Sequence, residues 1–179
     1  MFTSKQTFQE LVRASEGVLR DLINIFISAF FDSQRKGRDK IEHKSIVEAA
    51  RQWFEQDKSQ NLDEELRLIL EKIVNEVIGQ KQARSFLIPR DLEKQHVIQR
   101  LFDLRILHLM RRGYADKDNP GVRYNIYSLD YGTYVDLKHT SKQPEVDFFE
   151  DKEESSDFVV PFDDRRKIRR IILTSDILT

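Results

Sequence analysis

The sequence predicts a mainly α, α+β protein, in which a block of amphipathic helices precedes a small antiparallel sheet. Three observations carry this. Apolar residues recur at i, i+3, i+4 and i+7 through the first 80 positions, the spacing of one helix face. After residue 105 the pattern changes to short apolar and alternating runs around a Gly/Asp/Asn/Pro-rich turn. Beyond residue 144 the chain becomes an acidic block followed by a basic one.

Each element follows from its residues. Thr3, with Gln6 three positions later, can cap a first helix whose apolar face is Phe8, Leu11 and Val12, and Gly17 ends it. Leu19, Leu22, Ile23, Phe26, Ile27 and Phe30 form the buried stripe expected of a second helix, closed by the polar run up to Gly37. A third helix is expected from about His43 to Lys58, with Ile46, Val47, Ala50, Trp53 and Phe54 facing inward. Asn61 and Glu64 resemble a capping box for a fourth, marked by Leu62, Leu66, Ile69, Leu70, Ile73 and Val77 and ending at Gly79.

Arg84 to Ile88 is a short strand stopped by Pro89, a residue suited to the first turn of a new helix. Val97, Ile98, Leu101, Phe102 and Leu104 mark a helix up to about Arg105. Ile106 to Met110, the turn Gly113 to Gly121, and the alternating Val122, Tyr124, Ile126, Tyr127 region read as strand, loop, strand. Tyr131 to Leu137 either adds a strand or covers the sheet edge. Helix, strand, helix, helix, strand, loop, strand is the order of a winged helix-turn-helix. The fourth helix is then its first, 89–95 and 96–105 its turn-related pair, and Arg111 to Arg123 its wing. The expected units are a helical subdomain over 1–60, the winged helix over 61–138, a flexible acidic segment over 139–164 and a basic-apolar segment over 165–179.

Composition bounds the function. Among 179 residues there are 30 basic and 31 acidic side chains and no cysteine. Thiol catalysis, disulfides and Cys-ligated zinc are excluded. No apolar run approaches the roughly 18 residues of a membrane span, and no signal-peptide pattern opens the chain, so no membrane partner and a cytoplasmic location are expected. No glycine belongs to a G-x-x-x-x-G-K-[ST] phosphate loop or a G-x-G-x-x-G turn, and no nucleophile motif occurs. His43, His96, His108 and His139 lack metal-ligand spacing and read as surface or packing residues. The chain as given reads as a non-enzyme without cofactor or metal.

Binding is the better expectation. Residues 81–123 hold ten basic and five acidic side chains, a net charge of +5 that duplex DNA attracts through counterion release. In a helix-turn-helix the second helix of the pair enters the major groove. Its exposed candidates are His96, Gln99, Arg100 and Asp103. Arg111, Arg112, Lys117 and Arg123 of the wing would meet phosphates or the minor groove. The alternative is that the winged helix docks a protein and that the tail is a short linear ligand. Residues 145–164 carry nine acids and one lysine, interrupted by Phe148, Phe149, Phe158, Val159 and Val160. Residues 165–170 are basic in five of six positions, and either bind nucleic acid or fold back so that Ile168, Ile171, Ile172 and Leu173 are buried. Tyr124, Tyr127, Tyr131 and Tyr134 are expected to pack the sheet rather than stack on bases.

Gly17-Val18-Leu19-Arg20, within Phe8 to Asp21, resembles the opening of the lid subdomain of an AAA+ ATPase, where a glycine, two residues and an arginine start a lid helix. With Ala49 to Phe54, Ala83 to Ile88 and Asp130 to Leu137, the chain resembles the C-terminal part of bacterial ATPases of the origin-recognition/cell-division-cycle type. The resemblance covers most of residues 6–140. It implies an AAA+ lid followed by a DNA-binding winged helix, with Arg20 as the nucleotide-sensing arginine in a full-length parent that binds ATP and Mg. The sequence departs from such a parent in having no phosphate loop and no room for an ATPase core before Phe8. The lid-plus-winged-helix piece alone is therefore not expected to hydrolyse ATP.

Overall fold

The computed structural model describes residues 1–81, 83–115, 120–135 and 171–177. Among these are five α-helices and a three-stranded antiparallel sheet. Helix α1 spans Lys5–Ala14. Its cap is Ser4 rather than Thr3: the Ser4 hydroxyl accepts the Thr7 N–H at 3.2 Å, while Thr3 is engaged with the Thr7 hydroxyl. Gly17, at φ +78°, lies in the turn that leads to α2, Leu19–Arg35. A non-glycine residue would be strained there.

Helix α2 departs from the expected burial. Leu19, Ile23, Ile27 and Phe30 are exposed, and Leu22 and Phe26 only half-buried. The buried face is Asp21, Ile25, Ala29 and Ser33. Small Ala29 and Ser33 let α3, His43–Trp53, pack closely, the Ser33 hydroxyl is satisfied by the Ala29 carbonyl, and Asp21 is needed inside by a buried lysine. Ile25 is thus the one large apolar side chain fully buried on this helix, Leu22 and Phe26 pack against the core from its edge, and the rest of the expected stripe points outward. After α3 the chain continues as a π-type turn, Phe54–Lys58, and a 3-10 turn, Ser59–Asn61.

Helix α4, Glu64–Val74, buries the apolar positions expected of it, including Leu66 and Ile73. Each such side chain contributes about 1.5–3 kcal/mol. Its cap is Asp63, whose carboxylate accepts the Leu66 N–H at 2.9 Å, and not Asn61. Strand β1, Ser85–Pro89, follows. Pro89 is paired with Tyr124 at the strand's end, so the expected helix over 89–95 shrinks to a 3-10 turn, Leu92–Lys94. Helix α5 is His96–Asp103. Strands β2, Leu107–Ala115, and β3, Arg123–Leu129, complete the sheet in the order β1-β3-β2. β2 outruns its expected end, and Arg111 and Arg112 sit in the strand rather than in the loop.

One contiguous core runs from Leu11 and Ile25 through Leu66 and Ile73 to Phe86, Leu129 and Tyr134. A second, small cluster of Leu87, Tyr124 and Ile126 occupies the sheet's other face. All four tyrosines at 124, 127, 131 and 134 are buried, as packing requires. Tyr131–Thr133 is a 3-10 turn rather than a strand. Residues 171–173 fold back beside β1: the Leu87 N–H donates to Ile171 at 2.8 Å and the Leu173 N–H to Leu87 at 2.9 Å. Ile171 and Leu173 join the main core. The acidic segment, the basic run 165–170 with Ile168, and His139 lie outside the described residues. Among the described residues no helix is long and apolar enough to cross a membrane.

Candidate nucleic-acid interface

Helix α5 presents a polar face beside the β2–β3 hairpin. Ile98 and Leu101 anchor it in the core, leaving His96, Gln99 and Asp103 exposed. Arg100 is half-buried and donates to Asp63 at 2.5 Å, which ties α5 to the start of α4. The Leu66 N–H and the Arg100 guanidinium hold the Asp63 carboxyl below its ordinary range.

The start of α5 is fixed by Glu93 in the preceding 3-10 turn. Its carboxylate accepts the Tyr127 hydroxyl at 2.5 Å and the Asn125 amide at 2.6 Å, clamping the turn onto β3. Burial, reinforced by the Glu93 carboxylate, pushes the Tyr127 hydroxyl well up. Asn125 in turn accepts the Gly113 N–H at 2.9 Å, where β2 bulges at φ +67°. Such bulges re-aim strand side chains.

Arg111, Arg112 and Arg123 are exposed on the hairpin. Arg111 stands opposite Ile126, on the face of the small cluster, whereas the charge of Arg112 acts on Tyr127, on the α5 side. Arg123 faces Ala115, and its guanidinium reaches the Gly113 carbonyl at 3.5 Å. Lys117 lies outside the described residues. Arg90, which sequence reasoning left off the contact set, joins this group: it is exposed, and its N–H donates to the Arg123 carbonyl at 3.2 Å. Among the described residues no carboxylate pairs with Arg90, Arg111, Arg112 or Arg123. Other cations of the basic stretch are already engaged, Arg84 by Glu16 at 3.0 Å and Arg105 by Asp21 and Asp57.

The largest ionic feature is one the sequence did not announce. Lys58, 2% exposed, pairs with Asp21 at 2.8 Å and with Asp130. Asp130 also binds the His108 ring at 3.0 Å, and Asp21 accepts from the Trp53 indole at 3.0 Å and from Arg105 at 2.7 Å. Burial alone would raise the Asp130 carboxyl, but the His108 hydrogen bond and the Lys58 charge more than offset it and hold it low. This network ties α2 and the turn after α3 to both strands of the hairpin. Its central members Asp21, Lys58 and Asp130 are each buried, so their bonds join these elements to one another. The only sequence signal for it is Asp21 at four-residue spacing from Ile25, Ala29 and Ser33.

Arg20 lies in the first turn of α2 with 60% of its side chain exposed. It donates to Asp57 at 2.5 Å and sits 5.6 Å from the Trp53 ring centre. Among the described residues no group of three or more His, Asp or Glu side chains could hold a metal ion. Comparison of the chain with protein-family models, curated proteins and solved structures finds no match.

Proposed function

We propose that this chain is a non-catalytic, duplex-DNA-binding module of winged-helix type. In this reading α5 lies at the groove and the β2–β3 hairpin grips the backbone. One observation carries it: four arginines without a carboxylate partner among the described residues, at 90, 111, 112 and 123, stand exposed on and beside the hairpin, with Arg112 on its α5 side and Arg111 on the other face. Cations not neutralised within the fold are the ones that displace counterions from phosphate. Arg111 and Arg112 stand three to four residues along β2 from Ala115, about 10–13 Å at a strand rise of ~3.3 Å. They and Arg123, which pairs with Ala115, therefore spread positive charge over about 10–13 Å of the hairpin, enough to reach more than one phosphate. His96 and Gln99, at the start of α5, are the side chains available to base edges. The order α4, β1, α5, β2, β3 and the sheet order β1-β3-β2 support the winged-helix description.

The same proposal takes the chain as the lid-plus-winged-helix part of an AAA+ type ATPase, as its resemblance to the origin-recognition/cell-division-cycle type implies. Arg20 suits a sensing role in being exposed at the start of a helix, and Asp57 is the partner it would leave. A nucleotide would be held on another body, since this sequence has no phosphate loop.

Fluorescence anisotropy of a labelled duplex tests the binding. The wild type binds with a steep salt dependence, and Arg111→Ala with Arg112→Ala lowers the slope of log K against log salt by about 2, alike for unrelated sequences. An unchanged slope removes the hairpin from the account and leaves protein docking as its role.

A further inference from the structure

Helix α2 turns an apolar face outward. Leu19 is 71% and Phe31 59% exposed, with Ile23, Ile27 and Phe30 between them. The stripe is extended by a ladder of phenylalanine rings: Phe8 to Phe2 at 5.4 Å, Phe2 to Phe26 at 6.1 Å, Phe26 to Phe30 at 6.3 Å and Phe30 to Phe31 at 5.7 Å. Phe8, Phe30 and Phe31 are all exposed. At about 150–250 Å² per aromatic side chain, these three alone present on the order of 300 Å². Leu19, Ile23 and Ile27 bring the patch to the upper part of the ~300–600 Å² range that marks the largest patch on a typical monomer. That approaches the ~800 Å² each partner contributes to a standard interface.

The rim of this patch says what covers it. The cations Arg20, Lys36 and Arg35 along it already have carboxylate partners within the chain: Arg20 pairs with Asp57 at 2.5 Å, and Lys36 at 2.7 Å and Arg35 at 3.6 Å share Asp32. A strongly charged partner therefore finds little to pair with, and a second copy meets little repulsion. The stripe is also self-complementary. An antiparallel pairing of α2 with its twofold copy sets Leu19 opposite Phe31 and Ile23 opposite Ile27. Each of these matches recurs on the other side of the axis, as an isologous interface demands. From Leu19 to Phe31 the contact runs about 18 Å, just over three helical turns.

We propose that α2 is the interface of a twofold homodimer, packed antiparallel through Leu19, Ile23, Ile27, Phe30 and Phe31. The inference is independent of the DNA-binding reading.

Sedimentation of the full 179-residue chain tests it. From low to several hundred micromolar, the mass rises from 21.3 kDa to twice that value. Ile23→Glu with Ile27→Glu, at positions that are exposed in the monomer, keeps the helical circular dichroism and abolishes the dimer over the whole range. The chain has no cysteine, which makes a second test clean. Under mild oxidation, Ile23→Cys protein mixed with Ile27→Cys protein forms the mixed disulfide dimer faster than either forms its own. A monomer at every concentration, a dimer that survives the glutamates, or equal cross-linking in all three samples overturns the proposal. If the glutamate variant loses its helical signal, the cysteine pair decides.

Discussion

Lys58 is the residue on which the orientation of the hairpin depends most. It is a buried ammonium between two buried carboxylates, Asp21 and Asp130, which lie in α2 and just after β3. Such a group is a weak source of net stability, because desolvation offsets attraction, but removing one partner leaves uncompensated charge. Lys58→Met is expected to lower the unfolding free energy by about 3 kcal/mol at neutral pH. That is the lower end of the usual range, since Arg105 still serves Asp21 and His108 still serves Asp130. The loss has a pH signature. The Asp130 carboxyl is depressed in the folded state, so its contribution is fully present above the ordinary Asp range and vanishes as pH falls through the folded value. Urea unfolding at a series of acidic pH values should show the wild-type and Lys58→Met curves converging as Asp130 protonates. A constant gap would mean that Lys58 acts through packing alone. Glu16 has the opposite sign: burial outweighs the Arg84 charge and raises its carboxyl, so its contribution falls as pH rises from the ordinary Glu range through the folded value.

At the scale of elements, the α5–β2 connection is set by a non-glycine residue in a glycine conformation. Arg105 has φ +58°; its N–H donates to Phe102, and the Ile106 N–H donates to Leu101, both at 2.9 Å. That is the Schellman ending of a helix, with arginine at the position glycine normally fills. The conformation costs roughly 1–2 kcal/mol, and the ion pairs with Asp21 and Asp57 hold it. Arg105→Gly and Arg105→Ala both lose those pairs, but only glycine escapes the strain. The alanine variant should therefore be less stable than the glycine variant by about 1 kcal/mol in chemical denaturation. Equal stabilities would refute the strain.

Elements also differ in how legible they were. Helix α4 could be read directly, because the apolar positions at helical spacing, Leu66, Ile69, Leu70 and Ile73, all face the core. Helix α2 could be located but not oriented. Periodicity finds an apolar face, and here most of that face points outward, with Leu22 and Phe26 at its inner edge, while Asp21, Ala29 and Ser33 go in. The candidate interface was legible as residue types on α5 and the hairpin, but its grouping was not. Arg100 is taken by Asp63, the strand that replaces the expected loop sends the adjacent Arg111 and Arg112 to opposite faces, and Arg90 enters through a backbone bond to Arg123. The ionic network was invisible because it joins positions distant in sequence, Lys58 to Asp130 and Arg105 to Asp21.

For the whole molecule, one core and one ionic network join the helical block to the sheet. The proposed DNA-binding role would need α5 and the hairpin held together, as this shared core holds them, while the apolar face of α2 lies on a separate element from the basic hairpin. The two proposed surfaces should accordingly be separable by mutation. The most direct measurement of the central claim is an amide chemical-shift map of the full chain titrated with duplex DNA. The account predicts the largest shifts at residues 90, 96–100, 111–115 and 123, with α2 unmoved by the DNA itself. Shifts concentrated on residues 19–31, or none at all at low salt, would contradict it.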